Sequence, residues 1–110
     1  SLAQAGAAAA LDDAAFLART RRLIREGRRY LTKALDGLRL RHVPSAANFL
    51  LIELGPGAAR VAQGLLARGV IVREMSGWKL SGCLRVTIGT MVENRRFMAA
   101  LKAVLTSRVT

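Results

Sequence analysis

The stretch Asn-Phe-Leu-Leu-Ile-Glu-Leu at residues 48–54 decides the fold class of this chain. It is apolar at nearly every position, whereas a strand with one solvated face alternates apolar and polar residues. The run therefore predicts a central β-strand that is covered on both faces. Gly-Pro-Gly at residues 55–57 follows and opens a helix over residues 58–68, which Gly69 stops. A buried strand that leads directly into a helix indicates an α/β domain.

Shorter strands are predicted on both sides of this unit. Residues 38–43 alternate apolar and basic side chains, which is the period of a half-buried strand, and a Pro-Ser pair turns the chain after them. Downstream, residues 70–73 predict a short buried strand and residues 74–82 a loop. Residues 84–88 alternate again and predict a further strand.

Two amphipathic helices frame these strands. The first is predicted over residues 14–38, with apolar side chains at three- and four-residue steps, and Asp12 or Asp13 caps its start. The last begins at Thr90, which together with Glu93 matches a capping box. The order helix, two strands, helix, two strands, helix predicts an α/β (α+β-like) small domain, with helices packed around a small sheet.

Composition bounds the class of protein. The chain has 110 residues, a length that folds as one domain with a substantial core. Apolar residues make up 52% and the mean hydropathy is +0.26, which excludes intrinsic disorder despite a net charge of +11. The apolar runs are too short to span a membrane, and the uncharged start lacks the pattern of a signal peptide. We therefore expect a soluble, cytoplasmic domain without a membrane partner.

The single cysteine and the single histidine argue against two further classes of protein. Cys83 has no second cysteine for an internal disulfide, and no His or Cys stands at a metal-ligand spacing from another. A disulfide scaffold and a structural zinc site are therefore excluded. Cys83 is expected to be a small buried apolar side chain. His42, with no partner carboxylate near it in sequence, is expected to be an ordinary strand residue.

The first helix is strongly basic. Arg21, Arg25 and Arg28 share one of its faces, as a phosphate-binding surface would require. However, no aromatic platform for bases and no known nucleic-acid motif accompanies them. A solvated helix face is therefore the favoured interpretation, and a stand-alone module that binds polyanions is the alternative from a different functional class.

Arg85 presents a different pattern. Its neighbours Leu84 and Val86 are apolar, so Arg85 and Thr87 project from the opposite face of a short strand. An arginine there either reaches solvent or binds an anion through its planar, bidentate fork. Arg73, at the end of the preceding predicted strand, raises the same question. It either meets an anion or pairs with an acidic neighbour, Glu74 or Glu53.

Three stretches of the chain, in a fixed order, carry motifs that are similar to those of a known family. The motifs are Leu-Ser-Gly-Cys-Leu-Arg-Val-Thr-Ile-Gly-Thr at residues 80–90, followed by Glu93-Asn94, Pro-Ser-Ala-Ala-Asn-Phe at residues 44–49 and Arg-Gly-Val-Ile-Val-Arg at residues 68–73. The first is similar to a C-terminal signature of the histidinol-phosphate aminotransferases, a branch of the class I and II aminotransferases, and the other two resemble further motifs of that family. The match runs from end to end of the chain.

The resemblance implies a domain organisation. Residues 1–13 are similar to the segment that leads out of the family's large cofactor domain, and residues 14–110 resemble its small C-terminal domain. The chain begins at Ser1 without an initiator methionine, so we expect a piece of a longer protein or a processed product. The expected partners are the large domain of the same enzyme and a second subunit of a homodimer, with no nucleic acid.

The resemblance also implies an activity. Members are pyridoxal-phosphate-dependent transaminases of fold type I, which exchange an amino group between L-histidinol phosphate and 2-oxoglutarate in histidine biosynthesis. Arg85 falls on the family's arginine for the substrate carboxylate or phosphate, and Arg73 on a second arginine near the substrate phosphate. An aromatic aminotransferase or a threonine-phosphate decarboxylase of the same fold is the nearest enzymatic alternative.

The family's cofactor-binding lysine lies in a Ser-Lys motif of the large domain. Lys33, Lys79 and Lys102 have no such context, so we expect this segment alone to hold no cofactor, no metal and no catalytic residue, and to be inactive by itself. One departure lies inside the match: Gly-Trp-Lys-Leu at residues 77–80 stands where many relatives have Gly-Tyr-Gly-Leu. This difference bears on substrate preference.

Overall fold

The computed structural model describes residues 2–46, 48–78 and 80–107. Two single-turn 3₁₀ helices lie at Gly55–Gly57 and Ser76–Trp78. The remaining elements, in chain order, are α1 (Leu2–Gly37), β1 (Arg41–Pro44), β2 (Phe49–Glu53), α2 (Ala58–Ala67), β3 (Arg73–Glu74), β4 (Cys83–Thr87) and α3 (Met91–Thr106). This order of helices and strands confirms the predicted α/β small domain.

The four strands form one antiparallel sheet in the order β1-β2-β4-β3. The apolar strand β2 is central, as its composition predicts, and β4 lies beside it. Phe49 of β2 is the Cα partner of Thr87, and Glu53 is the partner of Cys83. The short strand β3 occupies one edge, where Arg73 faces Arg85 and Glu74 faces Leu84.

The hydrophobic core lies on one face of the sheet. Leu50 and Ile52 of β2 and Leu84 and Val86 of β4 are buried there at alternate positions. All three helices contribute buried side chains to the same cluster, among them Leu31, Leu35, Val61, Leu65, Phe97 and Leu101. We call this side the covered face and the opposite side the open face.

The prediction that β2 is covered on both faces is wrong for this structure. Phe49 and Leu51, which point to the open face, are only half-buried. The continuous apolar run has a different cause: one half of it fills the core, and the other half forms an apolar surface beside charged side chains. None of the described helices combines the length and apolar character that a membrane span requires.

Three elements begin more than one residue away from their predicted starts. Helix α1 runs unbroken through Asp12 and Asp13, because the alanine-rich segment before them has high helix propensity and continues the same helix. The predicted strand at 38–43 becomes Arg41–Pro44, since the backbone N–H of Leu40 donates to the Leu35 carbonyl in the turn that ends α1, at 3.0 Å. The predicted strand at 70–73 becomes Arg73–Glu74 for the same reason: the backbone N–H of Val70 donates to the Leu65 carbonyl in the turn that ends α2, at 2.9 Å.

The start of α3 is fixed as predicted. The Thr90 hydroxyl accepts from the Glu93 backbone N–H at 3.2 Å, and the Glu93 carboxylate accepts from the Thr90 N–H at 2.9 Å. These two bonds form the capping box. The hydrogen bond from the Thr90 backbone, followed by that with its hydroxyl, lowers the pKa of Glu93 below its ordinary value of 4.5.

A close junction joins α1, β4 and α3. A Cβ atom on Gly27 would lie 2.6 Å from Ile88 Cγ2 and 2.7 Å from Asn94 Nδ2, so only glycine lets α1 approach this closely. The buried Asn94 accepts from the Gly89 N–H at 2.9 Å and donates to the Gly89 carbonyl at 3.1 Å. This junction anchors the end of β4 and thereby sets the position of the strand that carries Arg85.

Candidate functional site on the open face

One row of side chains crosses the open face of the sheet. Val43, Leu51, Arg85 and Arg73 are successive Cα partners from β1 to β3. Directly paired residues of antiparallel strands point to the same side of the sheet. The row therefore passes from two apolar side chains to two arginines, and the predicted position of Arg85 opposite the core is confirmed.

The two arginines are neighbours in the row. Arg73 and Arg85 face each other across β3 and β4. Both line a shallow concavity of about 440 Å³ together with Ile71, Val72, Glu74 and Thr87. Arg73 is exposed and Arg85 is half-buried, so both guanidinium groups belong to a surface that a small molecule can reach.

The carboxylate that lines the same concavity is otherwise engaged. Glu74 accepts from the Ser76 backbone N–H at 3.0 Å and from the Ser76 hydroxyl at 2.6 Å. Among residues 2–46, 48–78 and 80–107, neither Arg73 nor Arg85 lies within ion-pair distance of an acidic group. The alternative in which Arg73 pairs with Glu74 or Glu53 is thus not observed.

An aromatic ring contacts Arg85. The guanidinium carbon of Arg85 lies 4.2 Å from the centroid of the Phe49 ring, which is the geometry of a cation–π contact. The two residues are diagonal neighbours, because the direct partner of Phe49 is Thr87. Sequence reasoning missed this contact, although the signal was available: period-two alternation puts Phe49 and Arg85 on the same face once β2 and β4 are paired.

Other residues singled out in the sequence have varied surroundings. Cys83 is half-buried rather than fully buried, because it points to the open face. His42 has a partner after all: its Nε2 lies 2.7 Å from Asp36 Oδ1, which the turn after α1 brings beside β1. This pair is remote from the arginines, at the opposite edge of the sheet.

The basic face of α1 is only partly available to a ligand. Arg21 and Arg25 are exposed, whereas Arg28 is half-buried and donates to the Ala46 carbonyl at 3.4 Å.

Helix α1 also has large apolar side chains on its surface. Phe16, Leu17 and Leu23 are 61%, 51% and 45% exposed.

Comparison with known proteins identifies the family. The model of the family "Aminotransferase class I and II" matches residues 1–101. The chain belongs to this family. A histidinol-phosphate aminotransferase from Symbiobacterium thermophilum is 52% identical over 104 residues, which make up 94% of this chain and 29% of that protein. A histidinol-phosphate aminotransferase from Pseudomonas fluorescens is 47% identical over 105 residues, 96% of this chain and 28% of that protein.

A solved structure agrees with the family assignment. A tetra mutant of the aspartate aminotransferase from Thermus thermophilus superposes with a TM-score of 0.70 at 30% identity, over 82% of this chain and 26% of that one. The chain thus spans less than a third of the length of the aminotransferases it matches. A larger domain accompanies this segment in those relatives.

Membership of the class I and II aminotransferases implies pyridoxal phosphate in the full-length enzyme. Neither lysine that the structure describes stands beside the two arginines. Lys33 and Lys102 are exposed on α1 and α3, and both helices pack on the covered face, away from the arginines. Lys79 lies outside the described residues, so the departure from the family motif at residues 77–80 is only partly described. The groups that this segment does present on the open face suit an anion.

Proposed function

We propose that this chain is the small domain of a pyridoxal-phosphate-dependent aminotransferase that transfers an amino group between L-histidinol phosphate and 2-oxoglutarate. In this proposal, Arg85 binds the carboxylate or phosphate of the substrate, and Arg73 supplies a second charge for the phosphate. The observation that carries the proposal is the pairing of Arg73 with Arg85 on the open face, without an acidic partner among the described residues. Pyridoxal phosphate supplies the electron sink of the reaction and is held by the large domain.

The arrangement of the charges favours a ligand over a structural role. Like charges on directly paired residues destabilise a sheet. The cost falls when an anion binds between them, because each guanidinium then gains a charge-assisted hydrogen bond. Repulsion between the two arginines lowers the stability of the sheet, so a purely structural role does not account for the pair. The pair is therefore better explained by binding than by stability.

The charge of the substrate supports a site with two arginines. A phosphate monoester carries about −1.5 to −2 charges at neutral pH, against −1 for a simple carboxylate. A site that binds both groups therefore needs one cation for the carboxylate and a second cation for the phosphate. Arg85 is central in the row and Arg73 lies at the edge, which suits a primary and an additional contact.

The surface of α1 supports a partner domain. The molecule measures 67 Å along its longest axis, and the helix of 36 residues accounts for most of this length. Phe16 and Leu17 are exposed on α1 beyond the reach of the core, whereas Leu31 and Leu35 of the same helix are fully buried. We propose that residues 1–13 connect to the large domain, that the exposed apolar residues pack against it, and that the assembled enzyme is a homodimer.

The test is Arg85→Lys in the enzyme that contains this chain, its large domain and the cofactor. Lysine keeps the charge but cannot form the bidentate contact. We expect KM to rise about tenfold or more for both the amino donor and 2-oxoglutarate, since hydrogen bonds to charged groups contribute about 1.5–3 kcal/mol. Steady-state kinetics with each substrate varied in turn provides the measurement.

Arg60→Lys is the matched control for this test. Arg60 is an exposed arginine on α2, and this helix packs on the covered face. Its substitution should leave both KM values unchanged. If Arg85→Lys also leaves KM for 2-oxoglutarate unchanged, Arg85 does not hold the substrate anion and the proposed role of the open face is wrong.

A further inference from the structure

Arg85 needs a contact that fixes its direction without using its hydrogen-bond donors. A guanidinium group carries five N–H donors, all in its plane and directed outward from its edge. An acidic neighbour would orient the group but would occupy those donors. No described acidic group pairs with Arg85, and the cross-strand residue on the β2 side is Leu51, whose side chain cannot donate or accept a hydrogen bond.

The Phe49 ring meets this requirement. The guanidinium carbon of Arg85 lies over this ring, 4.2 Å from its centroid, and a phenyl ring has no lone-pair acceptor that would take up the guanidinium N–H groups. The contact also determines to which side of β4 the Arg85 guanidinium group lies. β2 and β3 flank β4 on opposite sides, so a guanidinium group drawn toward Phe49 is drawn away from the like charge of Arg73.

We infer that Phe49 is a positioning residue for substrate binding: its ring holds the Arg85 guanidinium over β2, with the N–H edge free for the substrate anion. This inference rests on the proposed function, since it assigns the contact that orients Arg85. Without the ring, Arg85 retains its charge and length but samples more rotamers, and part of the binding free energy is then spent on ordering it.

The kinetic test compares Phe49→Leu with Phe49→Tyr in the enzyme with its large domain and cofactor. Leucine keeps an apolar side chain in the strand but removes the ring, and we expect KM for 2-oxoglutarate to rise about two- to fivefold with little change in kcat. Tyrosine keeps the aromatic face, so KM should return close to the original value. Leu66→Ala removes an exposed apolar side chain from α2, which packs on the covered face, and should leave KM unchanged.

A spectroscopic measurement reports the contact directly. Ring currents of Phe49 should move the side-chain proton resonances of Arg85 upfield in NMR spectra of the 110-residue chain. Phe49→Leu should abolish this displacement and Phe49→Tyr should keep it. Loss of the displacement in Phe49→Leu at unchanged thermal stability would show that the ring acts on Arg85 and not on the fold.

The possible failures can be separated. If Arg85→Lys raises KM but Phe49→Leu does not, the positioning role is wrong and the proposed function stands. If neither variant raises KM, the proposed function itself fails. If leucine and tyrosine raise KM equally, or lower kcat and thermal stability together, Phe49 acts on the fold and the inference is overturned. In the Arg85→Lys background, Phe49→Leu should raise KM less than in the original enzyme, because the flat group that the ring orients is gone.

Discussion

The covered and open faces of the sheet consist of alternate residues of the same strands, but they carry opposite kinds of side chain. In β2 and β4, the covered face presents Leu50, Ile52, Leu84 and Val86, all nearly inaccessible to solvent. The open face has two arginines in direct register and a phenylalanine ring against one of them. The covered face gains stability from burial, whereas the open face keeps a like-charge pair that opposes it.

Under the proposed function, the two faces of the small domain have different tasks. Period-two alternation lets each strand serve the core with one set of residues and present the other set to the substrate anion. Packing on the covered face holds the strands in register, and the register brings Arg73 beside Arg85. Substitutions on the two faces should therefore affect different measurements.

The largest expected effect is on the covered face. Ile52→Ala removes a fully buried side chain from the middle of β2 and should lower the free energy of unfolding by about 2–5 kcal/mol. Leu51→Ala, one residue away on the open face, removes a half-buried side chain and should cost about 1 kcal/mol. Urea unfolding of the chain, followed by circular dichroism, measures both. Equal losses would mean that the open face is as much a part of the core as the covered face.

A smaller effect is expected for substitution of Arg73, which should lower activity but raise stability. In the assembled enzyme, Arg73→Ala should lower kcat/KM for L-histidinol phosphate about tenfold, a loss of roughly 1.4 kcal/mol. Aromatic amino acids, which carry no phosphate, should be much less affected. The same substitution should raise the unfolding free energy of the chain by about 0.2–1 kcal/mol, because it removes the repulsion with Arg85.

The control for this prediction is Arg60→Ala, which removes an exposed charge from α2 without relieving a like-charge pair in the sheet. It should change neither kcat/KM for L-histidinol phosphate nor the free energy of unfolding appreciably. Equal losses of kcat/KM for histidinol phosphate and aromatic donors would show that Arg73 supports the fold. The proposed assignment to the histidinol-phosphate branch would then lose its best physical support.

The smallest expected effect is that of pH on the capping box of α3. Hydrogen bonds from Thr90 lower the pKa of Glu93 below 4.5, so its contribution to stability is fully present above that value. The contribution is lost as the pH falls through the lowered pKa. Mild acid should therefore weaken the attachment of a helix on the covered face.

Glu93→Gln gives the comparison for this effect, since the amide still accepts a hydrogen bond from Thr90 but does not titrate. Thermal unfolding between pH 3 and 6 should decline less steeply for this variant than for the original chain. Parallel profiles would show that other carboxylates, and not Glu93, account for the loss of stability in acid.

The predicted fold and the structure agree where the signal is local. The capping box at Thr90, the positive φ of Gly69 that ends α2, and the alternation of β4 all follow from interactions between residues close in sequence. The predicted strands at 38–43 and 70–73 were displaced because turns at the ends of α1 and α2 took up the backbone groups of their first residues. These turns depend on where the neighbouring helices end, which the strand pattern does not specify.

The sequence by itself determined the fold class, the family resemblance and the position of Arg85 opposite the core, since each depends on local periodicity or on motifs of consecutive residues. Only the tertiary structure decided that β3 pairs with β4 in the register that sets Arg73 against Arg85. It also decided that Phe49 stacks on Arg85 and that Asp36 reaches His42. The physical reason is that strand pairing and helix packing join residues far apart in the chain, and a shift of one residue in register would turn every side chain of the strand to the other face.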